Sequence, residues 1–218
     1  MTGKKPSKLD IQWTKSNNLV DYSKAVSYME NKVKLINTRD SKEEIWFLEH
    51  GSIYTAGTSS GNISGENFQN VPVYKTNRGG KLTWHGPGQR IIYIMLDIKK
   101  RNYDVRSFVH NIEQWMIDTL KHFNIKGERR KERVGVWVVD NRGVEKKIGS
   151  LGIRISRGVS LHGLSLNINC NLKHFSNINP CGIKNVEMTS IKDLGKKVSL
   201  NEVDTAFLNT FKKSMIFS

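Results

Sequence analysis

Twelve consecutive residues, Arg78-Gly79-Gly80-Lys81-Leu82-Thr83-Trp84-His85-Gly86-Pro87-Gly88-Gln89, combine four glycines and a proline with two cations, a histidine and a tryptophan. Glycine lets a backbone take positive φ and approach a ligand closely. Donors and an aromatic ring interleaved with such glycines point to a preformed pocket. A glycine-rich turn between two strands is the plainer alternative. The spacing matches neither a phosphate-binding loop nor a dinucleotide fingerprint.

Two cysteines occur, and periodicity separates them. Cys170 falls in phase with Leu164, Leu166, Ile168 and Leu172, which reads as a buried, inert core thiol. Cys181 lies in Asn179-Pro180-Cys181-Gly182, a segment without periodicity. Pro180 fixes a backbone angle and Gly182 leaves the sulfur uncrowded, the setting of a nucleophile or of an incidental loop cysteine. A thiol with a pKa of about 8.5 needs a nearby cation or base to ionise near neutrality. Lys147 opens the segment Lys147-Ile148-Gly149-Ser150-Leu151-Gly152-Ile153-Arg154-Ile155. It shares its phase with Leu151, Ile153 and Ile155, so it is expected on the apolar face. Burial disfavours a charged amine and lets it exchange protons. A bulge at Gly149 would reverse that phase.

His85 and His162 both neighbour glycine and could bind a substrate carbonyl or orient a backbone. His50, His110, His122 and His174 read as surface or strand-end residues. No metal-ligand spacing appears, so no metal and no cofactor are expected.

These residues need elements to hold them. Asp21 to Asn37 carries Ala25, Val26, Met29, Val33 and Ile36 at helical spacing. Glu44 to His50 and Arg90 to Asp97 read as buried strands, Gly51 to Gln69 as a loop, and Val71 to Asn77 as a short strand. Asp104 caps a second helix with the stripe Val105, Phe108, Ile112, Trp115, Met116, Leu120 and Phe123. Gly135 to Val139 and Lys147 to Ile155 form a hairpin through Asp140 to Gly143. Ser160 to Leu172 reads as one long strand, and Val203, Phe207, Leu208 and Phe211 mark a last helix. Strands follow one another without crossover helices, so the expected fold is α+β with a mixed, largely antiparallel sheet flanked by helices.

The 218 residues suit a single domain spanning 1–218, with Met1 to Asp10 as a flexible tail and no secretory signal. No apolar run approaches the roughly 20 residues of a membrane span. Two cysteines make no disulfide framework, and a cytoplasmic setting is expected. The formal net charge of +15 is dispersed. It fits nucleic acid, acidic protein partners met by long-range steering, or a lysine-rich bias. No zinc-ligand or basic-zipper spacing favours nucleic acid.

Taken together, three blocks resemble the LipB family of lipoate-biosynthesis octanoyltransferases: Arg78 to Gln89, Lys147 to Gly152, and Ser160-Leu161-His162-Gly163-Leu164 with Asn179 to Gly182. They occur in the family's order, and the resemblance runs from about residue 45 to residue 190. Trp84 stands where the family usually has tyrosine, keeping an aromatic wall and losing a hydroxyl. The resemblance implies a biotin/lipoate protein ligase-like catalytic domain. It also implies that Cys181 carries an acyl thioester and that Lys147 tunes that cysteine. The acyl pocket would be lined by Arg78, Gly79, Gly80, Lys81, Leu82, Thr83, Trp84 and His85, by Ser150, Leu151 and Gly152, and by His162, Gly163, Leu164 and Ser165. The implied donor is octanoyl-acyl carrier protein. The implied acceptors are lipoyl domains of 2-oxoacid dehydrogenase E2 subunits and the glycine cleavage H protein, with neither nucleic acid nor membrane as partner. Rival readings are an ATP-dependent lipoate protein ligase, a basic nucleic-acid-binding protein, and a thioesterase-like hydrolase using Cys181.

Overall fold

The computed structural model describes residues 10–61, 67–176, 178 and 186–215, with side chains to 211. Its elements run β1 (Ile11–Lys15), α1 (Tyr22–Thr38), β2 (Glu43–Leu48), β3 (Ile53–Ala56), β4 (Asn67–Phe68), β5 (Val71–Lys75), β6 (Thr83–His85), β7 (Gln89–Met95), α2 (Val105–Lys121), β8 (Glu128–Arg130), β9 (Arg133–Val139), β10 (Glu145–Ser156), β11 (Val159–Asn167), β12 (Glu187–Met188) and α3 (Leu200–Met215). The large sheet has the order β1-β2-β7-β11-β10-β9-β8, with β12 added to β10. Among the described residues, only its β1–β2 and β10–β12 pairings are parallel. A smaller sheet orders β4-β5-β3-β6. The expected mixed, largely antiparallel α+β architecture is what forms.

Strand alternation sorts the side chains between two layers. Ile92, Ile94, Leu164, Leu166, Val136 and Val138 face α2 and α3. Trp46, Leu48, Ile91, Tyr93 and Leu161 face α1. Helix α2 starts at the expected cap, Asp104, and α1 is capped by Asp21. Asp21 accepts from the Lys24 N–H at 2.9 Å, and Asp104 from Ser107 N–H at 2.7 Å. On α2, Phe108, Ile112, Trp115, Met116 and Leu120 are buried, each large apolar side chain contributing about 1.5–3 kcal/mol.

Several expectations are corrected. The segment read as a loop from Gly51 holds β3, whose Ile-Tyr-Thr-Ala run is too short to stand out among glycines and serines. The glycine-rich stretch holds β6. Val105 and Leu208 are half exposed, because Val105 heads its helix and Leu208 points away from α2. β11 ends at Asn167. Both Ile168 N–H and Asn169 N–H then donate to the Gly88 carbonyl, and the turn carries Cys170 out of phase. Cys170 packs with Tyr54, Trp84 and Phe175 in a third cluster under the small sheet. Of the expected tail, residues 1–9 lie outside the described residues.

Candidate active site

A cleft opens between the small sheet and the α1 side of the large one. Its floor follows from register. Ile91, Ser165 and Ser150 stand side by side across β7, β11 and β10, and Tyr93, Gly163 and Gly152 form the next row. The two glycines leave the floor bare in that row. Gly163 has a second reason to be glycine: an added Cβ would stand 1.8 Å from the Ile92 carbonyl oxygen. Arg78, Gly80, Lys81, Thr83 and His85 form the roof, Lys147 lies at one end, and Tyr22 and His162 lie at the other. Empty space in the cleft totals about 560 Å³, its open mouth included.

Of the residues expected to line an acyl pocket, Arg78, Gly80, Lys81, Thr83, His85, Ser150, Leu151, Gly152, His162, Gly163, Leu164 and Ser165 meet here. Leu151 and Leu164 border the cleft while their side chains pack toward the α2 core. Three do not line it. Gly79 closes the roof loop onto β10, where a Cβ would lie 3.0 Å from the Ile153 carbonyl oxygen. Leu82 and Trp84 point the other way, because they alternate with Lys81, Thr83 and His85. Trp84 is 1% exposed, donates from Nε1 to Ser52 Oγ at 2.9 Å, and stacks on His174 with ring centres 4.6 Å apart. It is a core residue, and not the aromatic wall expected of it. Tyr22, Ile91 and Tyr93 also line the cleft. They were hidden in sequence because each belongs to the regular apolar pattern of its helix or strand.

Lys147 is 4% exposed, and its placement corrects the phase argument. The β9–β10 register shifts between Lys147 and Gly149. Ile148 takes the core position under α2, so Lys147 faces the cleft, opposite to Leu151. Its ammonium donates to the Val134 carbonyl at 2.7 Å and lies 5.4 Å from the centre of the Trp137 ring. Cys181, Asn179 and Pro180 lie outside the described residues. Downstream, Glu187 and Met188 of β12 pair with Lys146 and Lys147.

A hydrogen-bond chain spans the roof and runs behind it. Arg78 donates from Nε and Nη2 to Thr55 Oγ1 at 3.0 and 2.8 Å, and also to the carbonyls of Thr55, Gly79 and Lys81. Thr55 Oγ1 lies 3.2 Å from His85 Nε2, and His85 Nδ1 lies 2.7 Å from Gln89 Oε1. Gln89 donates to Asn167 Oδ1 at 2.9 Å, and Asn167 donates to the Thr189 carbonyl at 2.9 Å. Because Gln89 donates from its nitrogen, its oxygen faces the ring, so His85 carries its proton on Nδ1. Both His85 nitrogens are thereby used within the protein. Burial, with help from the Arg78 cation, lowers its pKa to about 3 and keeps it neutral. His162 adopts φ 61° and meets Asn77 Oδ1 at 3.1 Å, and burial lowers its pKa to about 4. His50, read as a surface residue, is 1% exposed and bridges the Val20 carbonyl and Tyr93 hydroxyl at 2.7 Å each. Burial pushes the Cys170 thiol up to about 12, so it stays protonated. Among the described residues no cluster of His, Cys, Asp or Glu could hold a metal ion, and no helix is long and apolar enough to cross a membrane.

The family model for the lipoyl protein ligase A/B catalytic domain matches residues 21–212. The bipartite lipoate protein ligase of Thermoplasma acidophilum shares the fold with a TM-score of 0.68 at 14% identity, over 95% of this chain and 84% of that one. P. falciparum LipL1, solved in complex with lipoate, also gives 0.68, at 18% identity over 93% of this chain and 62% of that one. Fold and model together define the lipoate-ligase class of catalytic domain. The chain is 46% identical to the octanoyltransferase of Bartonella bacilliformis over 93% of its length and 88% of the relative's. It is likewise 46% identical to that of Wolbachia pipientis, over 93% and 98%. The chain belongs to the octanoyltransferase family and is an acyltransferase.

Proposed function

We propose that this protein moves an octanoyl group from octanoyl-acyl carrier protein to the target lysine of lipoyl domains, through a thioester on Cys181. The observation that carries the reading is the buried Lys147 at the end of a slot floored by Ser150, Gly152, Gly163 and Ser165, in a chain 46% identical to octanoyltransferases. Support for lipoyl-domain acceptors comes from the Thermoplasma ligase, whose structural description pairs it with its E2 lipoyl domain.

Two half-reactions use one cysteine. The Cys181 thiolate attacks the donor thioester carbon. The new C–S bond forms, the old one breaks, and the carrier thiolate leaves and takes up the proton of the Lys147 ammonium, which becomes an amine. The lysine amine of the acceptor then attacks the acyl-enzyme carbon, a C–N bond replaces the C–S bond, and the Cys181 thiolate is restored. A lysine with an ordinary pKa of about 10.4 arrives protonated; the Lys147 amine left by the first half-reaction receives that proton, and the second N–H proton is released to solvent as the amide forms. Thioester to amide is downhill, so no ATP enters. The aliphatic tail lies over the glycine row, where each buried methylene contributes about 0.8 kcal/mol. The formal charge of +15 speeds encounter with acidic carrier and lipoyl proteins in the cytoplasm. The H protein is proposed as a further acceptor.

The test incubates the protein with octanoyl-carrier protein and a lipoyl domain, without nucleotide. An octanoyl amide on the acceptor is expected. Product only after ATP addition, or free octanoate in place of amide, contradicts the reading.

A further inference from the structure

We propose that Glu113 is a positioning residue for Lys147, acting through the peptide group that joins Val134 to Gly135. The inference rests on the role of Lys147 proposed above. The Gly135 N–H donates to Glu113 Oε1 at 2.8 Å, and the Val134 carbonyl accepts from Lys147 Nζ at 2.7 Å. These two groups belong to one planar peptide unit, whose N–H and C=O point in opposite directions. Glu113 therefore grips the peptide from the α2 side of the sheet while Lys147 is anchored to it on the cleft side. A carboxylate on the N–H polarises the unit and strengthens the carbonyl as an acceptor.

Three features show that the strand is shaped for this arrangement. The register of β9 is irregular against both neighbours here, between Lys147 and Gly149 on β10 and between Glu128 and Arg130 on β8. Those irregularities turn the peptide out of the ladder. Gly135 adopts φ 124°, which favours glycine, and a Cβ there would lie 2.4 Å from Lys147 Cε and 2.9 Å from Nζ. Glu113 is itself fixed: it is 7% exposed and paired through Oε2 with Arg129 Nε at 3.3 Å. Arg129 in turn donates to Gln114 Oε1 and the His110 carbonyl. A lone buried carboxylate would not be retained on the α2 side without such partners.

The experiment is a double-mutant cycle on the single-turnover rate of Cys181 octanoylation by octanoyl-carrier protein. It compares wild type, Glu113→Ala, Lys147→Ala and the double variant, and a parallel cycle uses Glu113→Gln, which keeps side-chain shape. A residue that acts only through Lys147 shows strong coupling. The expected result is a loss of about 10-fold in maximal rate for Glu113→Ala, with the half-saturating donor concentration changed less than about twofold. In the Lys147→Ala background the same substitution changes the rate by less than about twofold. Glu113→Gln has one amide oxygen for two donors and falls between wild type and Glu113→Ala. Losses that multiply in the double variant, or an unchanged rate in Glu113→Ala, overturn the inference. If Glu113→Ala fails to fold, the Gln cycle applies the same criterion. A Lys147→Ala protein as fast as wild type would instead defeat the role given to Lys147 itself.

Discussion

Arg78 is bound to Thr55 by three hydrogen bonds, two to Oγ1 at 3.0 and 2.8 Å and one to the carbonyl at 2.6 Å. Nη1 donates to the Gly79 carbonyl, and Nη2 also reaches the Lys81 carbonyl. A buried guanidinium thus ties β3 to the loop that roofs the cleft, using neutral acceptors in a fixed fork.

A lysine cannot reproduce that fork. Arg78→Lys is expected to lower stability by about 2–4 kcal/mol in urea unfolding, as several bonds to a charged group are lost at once. It should also slow octanoylation at least 10-fold, because the roof loses its shape. An unchanged urea midpoint would contradict the role given to this side chain.

Two floor glycines are expected to behave differently. A Cβ on Gly163 meets the backbone oxygen of Ile92 at 1.8 Å, whereas one on Gly152 meets Arg78 Cδ at 3.0 Å and the Gly79 carbonyl at 3.1 Å, contacts that a small shift relieves. Gly163→Ala should force β11 from β7 and cost about 3 kcal/mol or more. Gly152→Ala should fold but shift preference from octanoyl toward shorter acyl donors, read from competition between donors of graded length. Equal stabilities for the two variants would refute the distinction.

Buried neutral histidines make stability depend on pH. The folded-state values for His85 and His162 fall to about 3 and about 4, below the ordinary 6.5. The unfolded chain therefore binds more protons as pH falls. Stability is complete above about pH 6.5 and is lost on acidification toward pH 4, by up to ~1.4 kcal/mol per unit for each histidine. Urea midpoints between pH 7.5 and 4.5 should show this slope, and His162→Asn should reduce it. A flat profile would mean that the rings titrate normally.

Thiol chemistry should separate the cysteines. Cys170 is buried, with its pKa at about 12, so a water-soluble alkylating reagent near neutral pH should leave it unmodified in the folded protein. Modification mapped by peptide mass to Cys170 ahead of Cys181 would reverse the assignment of the inert thiol.

The elements with long periodic runs were readable from the chain. Met29, Val33 and Ile36 on α1, and Ile112, Trp115 and Met116 on α2, mark their buried faces without tertiary information. β2 and β7 were readable as unbroken apolar runs. The roof was legible because glycines and a histidine cluster in one short stretch, whereas the floor at Ser150, Gly152, Gly163 and Ser165 was implied only by the family resemblance. What escaped reading depended on geometry between segments. An extra residue, Ile148, reverses the face of Lys147, and nothing local reveals which bulge a strand adopts. Alternation within three residues of β6 removes Trp84 from the cleft, and without the strand there was no phase to count. His50 becomes buried only because β2, β7 and the segment before α1 converge on it. Glu113 sits in a helix stripe and shows its purpose only through a peptide on another strand.

The most direct measurement is intact mass after exposure to octanoyl-carrier protein without an acceptor. The account predicts one octanoyl adduct on wild type and on Cys170→Ala, none on Cys181→Ala, and slow labelling of Lys147→Ala. An adduct that persists in Cys181→Ala, or wild-type labelling in Lys147→Ala, would contradict it.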